Sequence, residues 1–192
     1  MKVISGKYKG RLLKGHDLKG TRPTMDRVKE SLFASIQDFV KESTVLDLFA
    51  GSGNLGIEAL SMKAENVCFV DKNNLAYKTI LENIKMLDIE SNKVEVICKD
   101  YKSALKSFNE VGKTFDIIFL DPPYKTDYIE KSIELISKYD ILNKNGLIIC
   151  ESDNLEKVIY KDMYSELKNK KYGDKYIVIL QKNWYNEIER WC

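Results

Sequence analysis

From residue 44 onward, short β-branched runs alternate with longer stretches whose apolar positions recur every three to four residues. The strand candidates are residues 44–49 (TVLDLF), 66–71 (NVCFVD), 93–98 (KVEVIC), 115–120 (FDIIFL) and 146–151 (GLIICE). Amphipathic stretches near 54–63, 73–87, 101–110 and 127–139 lie between them. Strands separated by helices imply βαβ units, and so a parallel sheet with helices on both faces. The tail follows another pattern: YSELKNKKY, then Gly173-Asp174, then KYIVILQK. A Gly-Asp turn between two strand-like runs predicts an antiparallel hairpin at one edge of the sheet. Upstream, four glycines punctuate residues 1–20 around runs such as VISG and RLLKG, which predicts a small hairpin. Val28, Leu32, Ile36 and Phe39 or Val40 share one face of a following helix, with Thr24, just after Pro23, as its candidate N-cap. The expected organisation is a basic hairpin-and-helix extension over residues 1–40 and an α/β domain over 41–192.

A length of 192 residues matches about one domain. With 44% hydrophobic and 31% charged residues, Gly 10 and Pro 3, the composition excludes a collagenous, coiled-coil or disordered chain. No apolar run approaches the roughly 18 residues of a membrane span. The opening MKVISGKYKGR lacks an apolar core, so no signal peptide is expected and the cytoplasm is the default location. Cys68, Cys98 and Cys150 fall inside strand-like runs and read as buried, reduced thiols, not as a disulfide framework or a zinc site; Cys192 stands apart at the end. The only histidine, His16, argues against a His-based triad or a multi-His metal site, and no metal is expected.

The net charge of +2 conceals an asymmetry. Residues 1–30 carry nine basic side chains against three acidic ones, a surplus of six, so the remainder is acidic by four. A basic arm on a mildly acidic body is either the footprint of a nucleic-acid binder or a solvated lysine-rich face.

In open parallel sheets, ligands bind beyond the carboxyl ends of the strands. After the first strand stands Asp47-Leu48-Phe49-Ala50-Gly51-Ser52-Gly53-Asn54-Leu55-Gly56, a G-x-G-x-x-G opening a helix. Alone it suits a dinucleotide, a nucleoside cofactor or merely a tight turn. After the second strand, Asp71 can accept hydrogen bonds from ribose hydroxyls. After the third, Asp100 can meet an adenine amino group or simply cap the next helix. Asp47, an acid at a buried strand end, needs a reason, since burying a charge is costly. It can orient the loop amides or meet the ammonium of an amino-acid cofactor. The second role tilts the choice toward S-adenosyl-L-methionine, because a nicotinamide fingerprint has no need of this acid.

The fourth strand ends in Asp121-Pro122-Pro123-Tyr124, which holds two of the chain's three prolines. Proline fixes φ and holds its predecessor extended, so the turn is stiff. It presents a carboxylate, free carbonyls and an aromatic face. That set suits methylation of an exocyclic amine, a poor nucleophile whose lone pair is delocalised into the ring. The Asp121 side chain and the Pro122 carbonyl can accept its two N–H groups and aim the lone pair at a methyl donor, while Tyr124 stacks on the base. No metal or covalent intermediate is required.

LDLFAGSGNLGIEAL together with DPPY resembles the class I S-adenosylmethionine-dependent methyltransferases acting on amino groups. VISGKYKGRLL, TRPTMDRVKESLF and KYGDKYIVIL resemble the RsmD family, over nearly the whole chain. The resemblance implies a Rossmann-like class I fold with a mostly parallel seven-stranded sheet. The activity implied is methylation of the N2 amine of one guanine in small-subunit (16S) ribosomal RNA. It places Asp47, Phe49, Gly51, Gly53, Asp71 and Asp100 in the cofactor pocket. It assigns Asp121, Pro122 and Tyr124 to the target guanine, and Arg22, Thr24, Arg27 and Pro123 to the substrate side. Family members often carry Phe where Tyr124 stands, which keeps the stacking face. A paired guanine would have to be flipped out, so the expected substrate is an exposed RNA loop presented in a small-subunit assembly particle, met by a monomer.

The same chemistry also serves adenine N6 in DNA or RNA, or a protein glutamine amide. Glutamine methylation usually pairs with Asn in place of Asp121, and DNA enzymes of this size often carry an added recognition domain. A nucleotide-dependent oxidoreductase would use the glycine loop but leave DPPY unexplained. A non-catalytic RNA-binding protein would keep the fold without needing Asp121.

Overall fold

The computed structural model describes residues 1–15, 23–123, 127–160 and 164–183, with the backbone alone over 23–25. The elements in chain order are α1 (Pro23–Val40), β1 (Thr44–Asp47), α2 (Asn54–Ser61), β2 (Asn66–Asp71), α3 (Asn74–Met86), β3 (Val94–Cys98), α4 (Tyr101–Glu110), β4 (Phe115–Leu120), α5 (Tyr128–Lys138), β5 (Leu142–Ser152), β6 (Tyr164–Tyr172) and β7 (Lys175–Lys182). They build one seven-stranded sheet of order β3-β2-β1-β4-β5-β7-β6. The pairs among β1 to β5 are parallel, while β7 runs antiparallel to both β5 and β6. The expected parallel sheet, its helical layers and its C-terminal hairpin are therefore all present.

Alternation along each central strand splits the core in two. Val45, Phe69, Ile117, Phe119, Ile149 and Ile177 face α1, α2 and α3. Leu46, Cys68, Ile118, Leu120, Ile148 and Val178 face α4 and α5. β4 is buried on both sides, which explains why FDIIFL reads as a continuous apolar run. β5 is longer than expected, reaching back to Leu142, and its pairing with β4 shifts register between Phe115 and Ile117.

Two expectations are corrected. Cys98 is exposed, because β3 is an edge strand and its last residue has no neighbouring strand on the outer side. Cys68 and Cys150 are buried free thiols as expected, with burial pushing Cys68 up to about 12. Thr24 is not the N-cap of α1, since the helix begins at Pro23, where a missing N–H costs nothing. The expected N-terminal hairpin is present in minimal form: Lys2 bridges Leu12 in antiparallel fashion, Val3 N donates to the Arg11 carbonyl (2.9 Å) and Leu13 N to the Met1 carbonyl (2.8 Å), around a 3₁₀ turn at Gly6–Tyr8.

This N-terminal segment is fastened to α2. Val3, Tyr8 and Leu13 are buried in the layer shared with α1, α2 and α3. The Glu58 carboxylate accepts from Ile4 N (2.9 Å), Ser5 N (2.7 Å) and the Lys29 ammonium (2.8 Å). Tyr8 N donates to Ser61 Oγ at 2.9 Å. Gly6 has φ +72, and a Cβ there would lie 1.8 Å from the Ser61 carbonyl oxygen, so only glycine lets the segment approach this closely. Among the described residues, no helix is long and apolar enough to cross a membrane.

Candidate active site

A cleft of about 1840 Å³ opens at the carboxyl ends of the central strands. Its floor is built by β1 and the loop that follows. Gly51 (φ +54) and Gly53 (φ +79) take left-handed backbone conformations, which turn the chain from β1 into α2 within a few residues. Gly51 N donates to Asp71 Oδ2 (2.9 Å), so the carboxylate after β2 holds the loop while its other oxygen accepts from Asn73 N (2.8 Å). Gly56 N donates to Asp47 Oδ2 at 3.0 Å, so the buried acid serves the orphan amides at the start of α2. Burial nevertheless pushes Asp47 up to about 7, with the Gly56 bond pulling the other way.

Gly56 must be small for another reason: a Cβ would fall 2.3 Å from the Phe69 ring. Gly53 likewise turns toward Ile80 and Phe69, and it is not part of the cleft wall. Asp47, Phe49, Gly51, Asp71 and Asp100 do line the cleft. Asp100 caps α4, accepting from Lys102 N (3.0 Å) and Ser103 N (3.2 Å), and hydrogen bonds from Ser103 hold its pKa below the usual range. The capping role that the sequence left open is thus the one present, at the mouth of the same cleft.

Opposite the loop, Asp121, Pro122 and Pro123 follow β4 directly and line the cleft. Asp121 is driven above the ordinary aspartate range first by burial and then by the Glu151 charge, against which Lys175 pulls it down. Tyr124 and Arg22 lie outside the described residues, as does the side chain of Thr24. Arg27 is exposed on α1 and is not among the residues lining the cleft, although its neighbour Asp26 is.

Beside Phe49, several residues in and behind the cleft were not singled out from the sequence. Phe49 stacks on Tyr128 (6.0 Å, 7°) and meets Tyr101 at 5.5 Å, forming an aromatic wall. The Tyr101 hydroxyl is buried and has no hydrogen-bond partner among the described residues. Lys29, almost fully buried, donates to Asn54 Oδ1 and to the Lys2 carbonyl, both at 2.7 Å, beside its pairing with Glu58. Asn83, fully buried, donates to the carbonyls of Ser52 (2.9 Å) and Lys14 (3.0 Å) and accepts from Lys14 N (2.8 Å). It joins the glycine loop to the N-terminal segment. Glu151 and Lys175 pair across β5 and β7 and also line the cleft. The available signals were Glu58 on the otherwise apolar α2 face and the lysine directly after the Gly173-Asp174 turn.

The sheet order and the placing of the cleft define a Rossmann-like class I methyltransferase fold. Among solved structures, yhhF from Escherichia coli, provisionally named a methyltransferase, superposes with a TM-score of 0.81 at 28% identity, covering 95% of this chain and 98% of that one. HI0767 from Haemophilus influenzae, provisionally named a methylase, superposes with a TM-score of 0.79 at 31% identity, covering 94% and 97%. The sequence profile described as Conserved hypothetical protein 95 matches residues 1–181. The chain belongs to this family, the RsmD family. YlbH of Bacillus subtilis (strain 168), provisionally named an rRNA methyltransferase, is 43% identical over 153 residues, 80% of this chain and 83% of that one. Ribosomal RNA small subunit methyltransferase D of Haemophilus influenzae is 35% identical over 173 residues, 90% and 89% of the two chains. Its namesake in Escherichia coli (strain K12) is 31% identical over 153 residues, 80% and 75%.

Proposed function

We propose that the chain transfers a methyl group from S-adenosyl-L-methionine to the exocyclic N2 amine of a guanine in small-subunit (16S) ribosomal RNA. One observation carries this: the Asp121-Pro122-Pro123 turn and the Gly51 loop open into the same cleft. Membership in a family whose members are named for small-subunit rRNA methylation supports the substrate.

The residues present suit this cofactor. Space lies open beside Gly51, where a Cβ would meet nothing within 4 Å. Asp71 offers carboxylate oxygens for a ribose, Phe49 offers an apolar ring face, and Asp47 an acidic partner for an ammonium group. Bound there, the cofactor would supply a methyl group activated by a sulfonium. The protein's own work lies at the acceptor. Asp121 and the Pro122 carbonyl hold the amine hydrogens and exclude water from one side. Because burial and Glu151 raise the Asp121 pKa, its carboxyl is also suited to hold the proton that the methylated nitrogen must release. Tyr124 would cover the base, and Arg22, Thr24, Arg27 and Pro123 would meet flanking RNA. The basic residues 1–40 act as the RNA-facing extension of the 41–192 domain. The enzyme works as a cytoplasmic monomer on RNA presented in an assembly particle.

The test uses small subunits from cells lacking this protein, purified protein and tritiated methyl donor. The expected product is N2-methylguanosine in 16S rRNA, formed on particles faster than on short naked RNA. Methylation of adenine, of DNA or of protein instead would contradict the proposal.

A further inference from the structure

Beyond Asp121, the carboxyl edge of the sheet continues in a fixed order of charges. Leu120 lies opposite Cys150 in the parallel β4–β5 pair, so Asp121 and Glu151 are the next residues, side by side. In the antiparallel β5–β7 pair Glu151 lies opposite Ile177, and Lys175, two residues away on the same face, is its diagonal neighbour. The Lys175 ammonium is ion-paired to Glu151 Oε1. Phe119, Ile149 and Ile177 all belong to one core layer, so by alternation Asp121, Glu151 and Lys175 project toward that same side. All three line the cleft. Read across the strands, the row is acceptor, acceptor, donor.

The Watson–Crick edge of guanine carries the complementary row: the N2 amine donates, the adjacent N1–H donates and O6 accepts. Adenine and cytosine also bear an exocyclic amine, but the ring nitrogen beside it is an acceptor. Set against Glu151, that lone pair would face a carboxylate. We infer that Glu151 and Lys175 determine the base. The Glu151 carboxylate accepts from guanine N1–H, and the Lys175 ammonium, still paired to Glu151, donates to O6 while Asp121 holds N2. This assignment rests on the guanine-N2 reading above and adds two substrate-touching residues from the hairpin side.

The alternative is that the pair merely fastens β7 to β5. Full-length Glu151→Leu, Glu151→Gln and Lys175→Met are assayed on small subunits from cells lacking the protein, with nucleoside analysis of the product. Thermal melting with S-adenosylhomocysteine is measured alongside. Glu151→Leu should lose about 100-fold in kcat/KM, and Glu151→Gln and Lys175→Met about 10-fold each. The melting shift given by S-adenosylhomocysteine should persist in all three. Glu151→Gln keeps the side-chain shape and an acceptor oxygen, so it serves even if the leucine variant folds poorly. Activities of Glu151→Gln and Lys175→Met within threefold of wild type would overturn the assignment. So would losses that track loss of the melting shift, which would mark a structural fastening. If the wild-type protein itself places no methyl on guanine N2, the underlying function fails first, and that result is distinguishable because it needs no variant.

Discussion

Asp116 and Asp121 flank the buried apolar run of one strand, β4, and their surroundings are opposite. Asp116, at the amino end, accepts from Thr44 N (2.7 Å), Thr44 Oγ1 (2.8 Å) and Asn143 Nδ2 (2.8 Å). Burial pushes its carboxyl up, but these hydrogen bonds outweigh it and leave it below the usual range. Asp121, at the carboxyl end, is dominated by burial and by the neighbouring Glu151 charge, and its carboxyl lies above that range. Among the described residues, the acid that joins strands accepts three hydrogen bonds, whereas none reaches the acid that opens into the cleft. An acid already saturated with internal donors has little left for a ligand. An under-satisfied one is poised to accept hydrogen bonds and to hold a proton.

The largest expected effect separates the two directly. Asp121→Ala should lower methyl transfer about 1,000-fold or more while leaving S-adenosylhomocysteine affinity within a few-fold, because its contact strengthens toward the transition state. Asp116→Asn should leave kcat/KM within about twofold, a comparison made by steady-state assay of both variants side by side. A second buried charge with saturated partners extends the comparison. Lys29→Met strands Glu58 inside the protein and should cost about 3–5 kcal/mol, read by denaturant unfolding.

Next in size are the linkage effects. A carboxyl raised in the folded state contributes stability at low pH that is lost as pH climbs from its unfolded to its folded pKa. For Asp47 that window runs from about pH 4 to about 7. Asp47→Asn, and by the same sign Asp121→Asn, should therefore melt progressively higher relative to wild type as pH rises through this range. Asp116, lowered on folding, has the reverse sign. Its contribution is present above about pH 4 and disappears in acid, so Asp116→Asn should destabilise at neutral pH and cease to do so in acid. Melting temperatures across pH check both signs. The smallest effect concerns the exposed Arg27: if it meets RNA phosphate, Arg27→Ala should reduce the salt slope of RNA binding by about one.

The sheet was legible because β4 and β1 are buried on both faces and the helices between strands carry clean periodicity. The hairpin was legible from Gly173-Asp174. The glycine loop, Asp47, Asp71 and the Asp121 turn were found because ligands gather at the carboxyl ends of strands. The rest depends on distant partners. Nothing near Glu58 announces that it will meet Ile4, Ser5 and Lys29, and Glu151 gains its meaning only once strand order sets it beside Asp121. Periodicity is silent on which strand becomes an edge, which is why the exposure of Cys98 was missed. The glycines near the N-terminus announced the small hairpin, but not that Gly6 is required by close approach to Ser61.

In the proposed reaction Asp121 presents its carboxylate to a guanine amine in 16S rRNA. The most direct test of this role is nucleoside mass spectrometry of 16S rRNA from cells lacking the protein and carrying either the wild-type or the Asp121→Ala chain. One N2-methylguanosine should disappear with the gene, return with the wild-type chain and stay absent with Asp121→Ala. Full restoration of that nucleoside by Asp121→Ala would contradict this role.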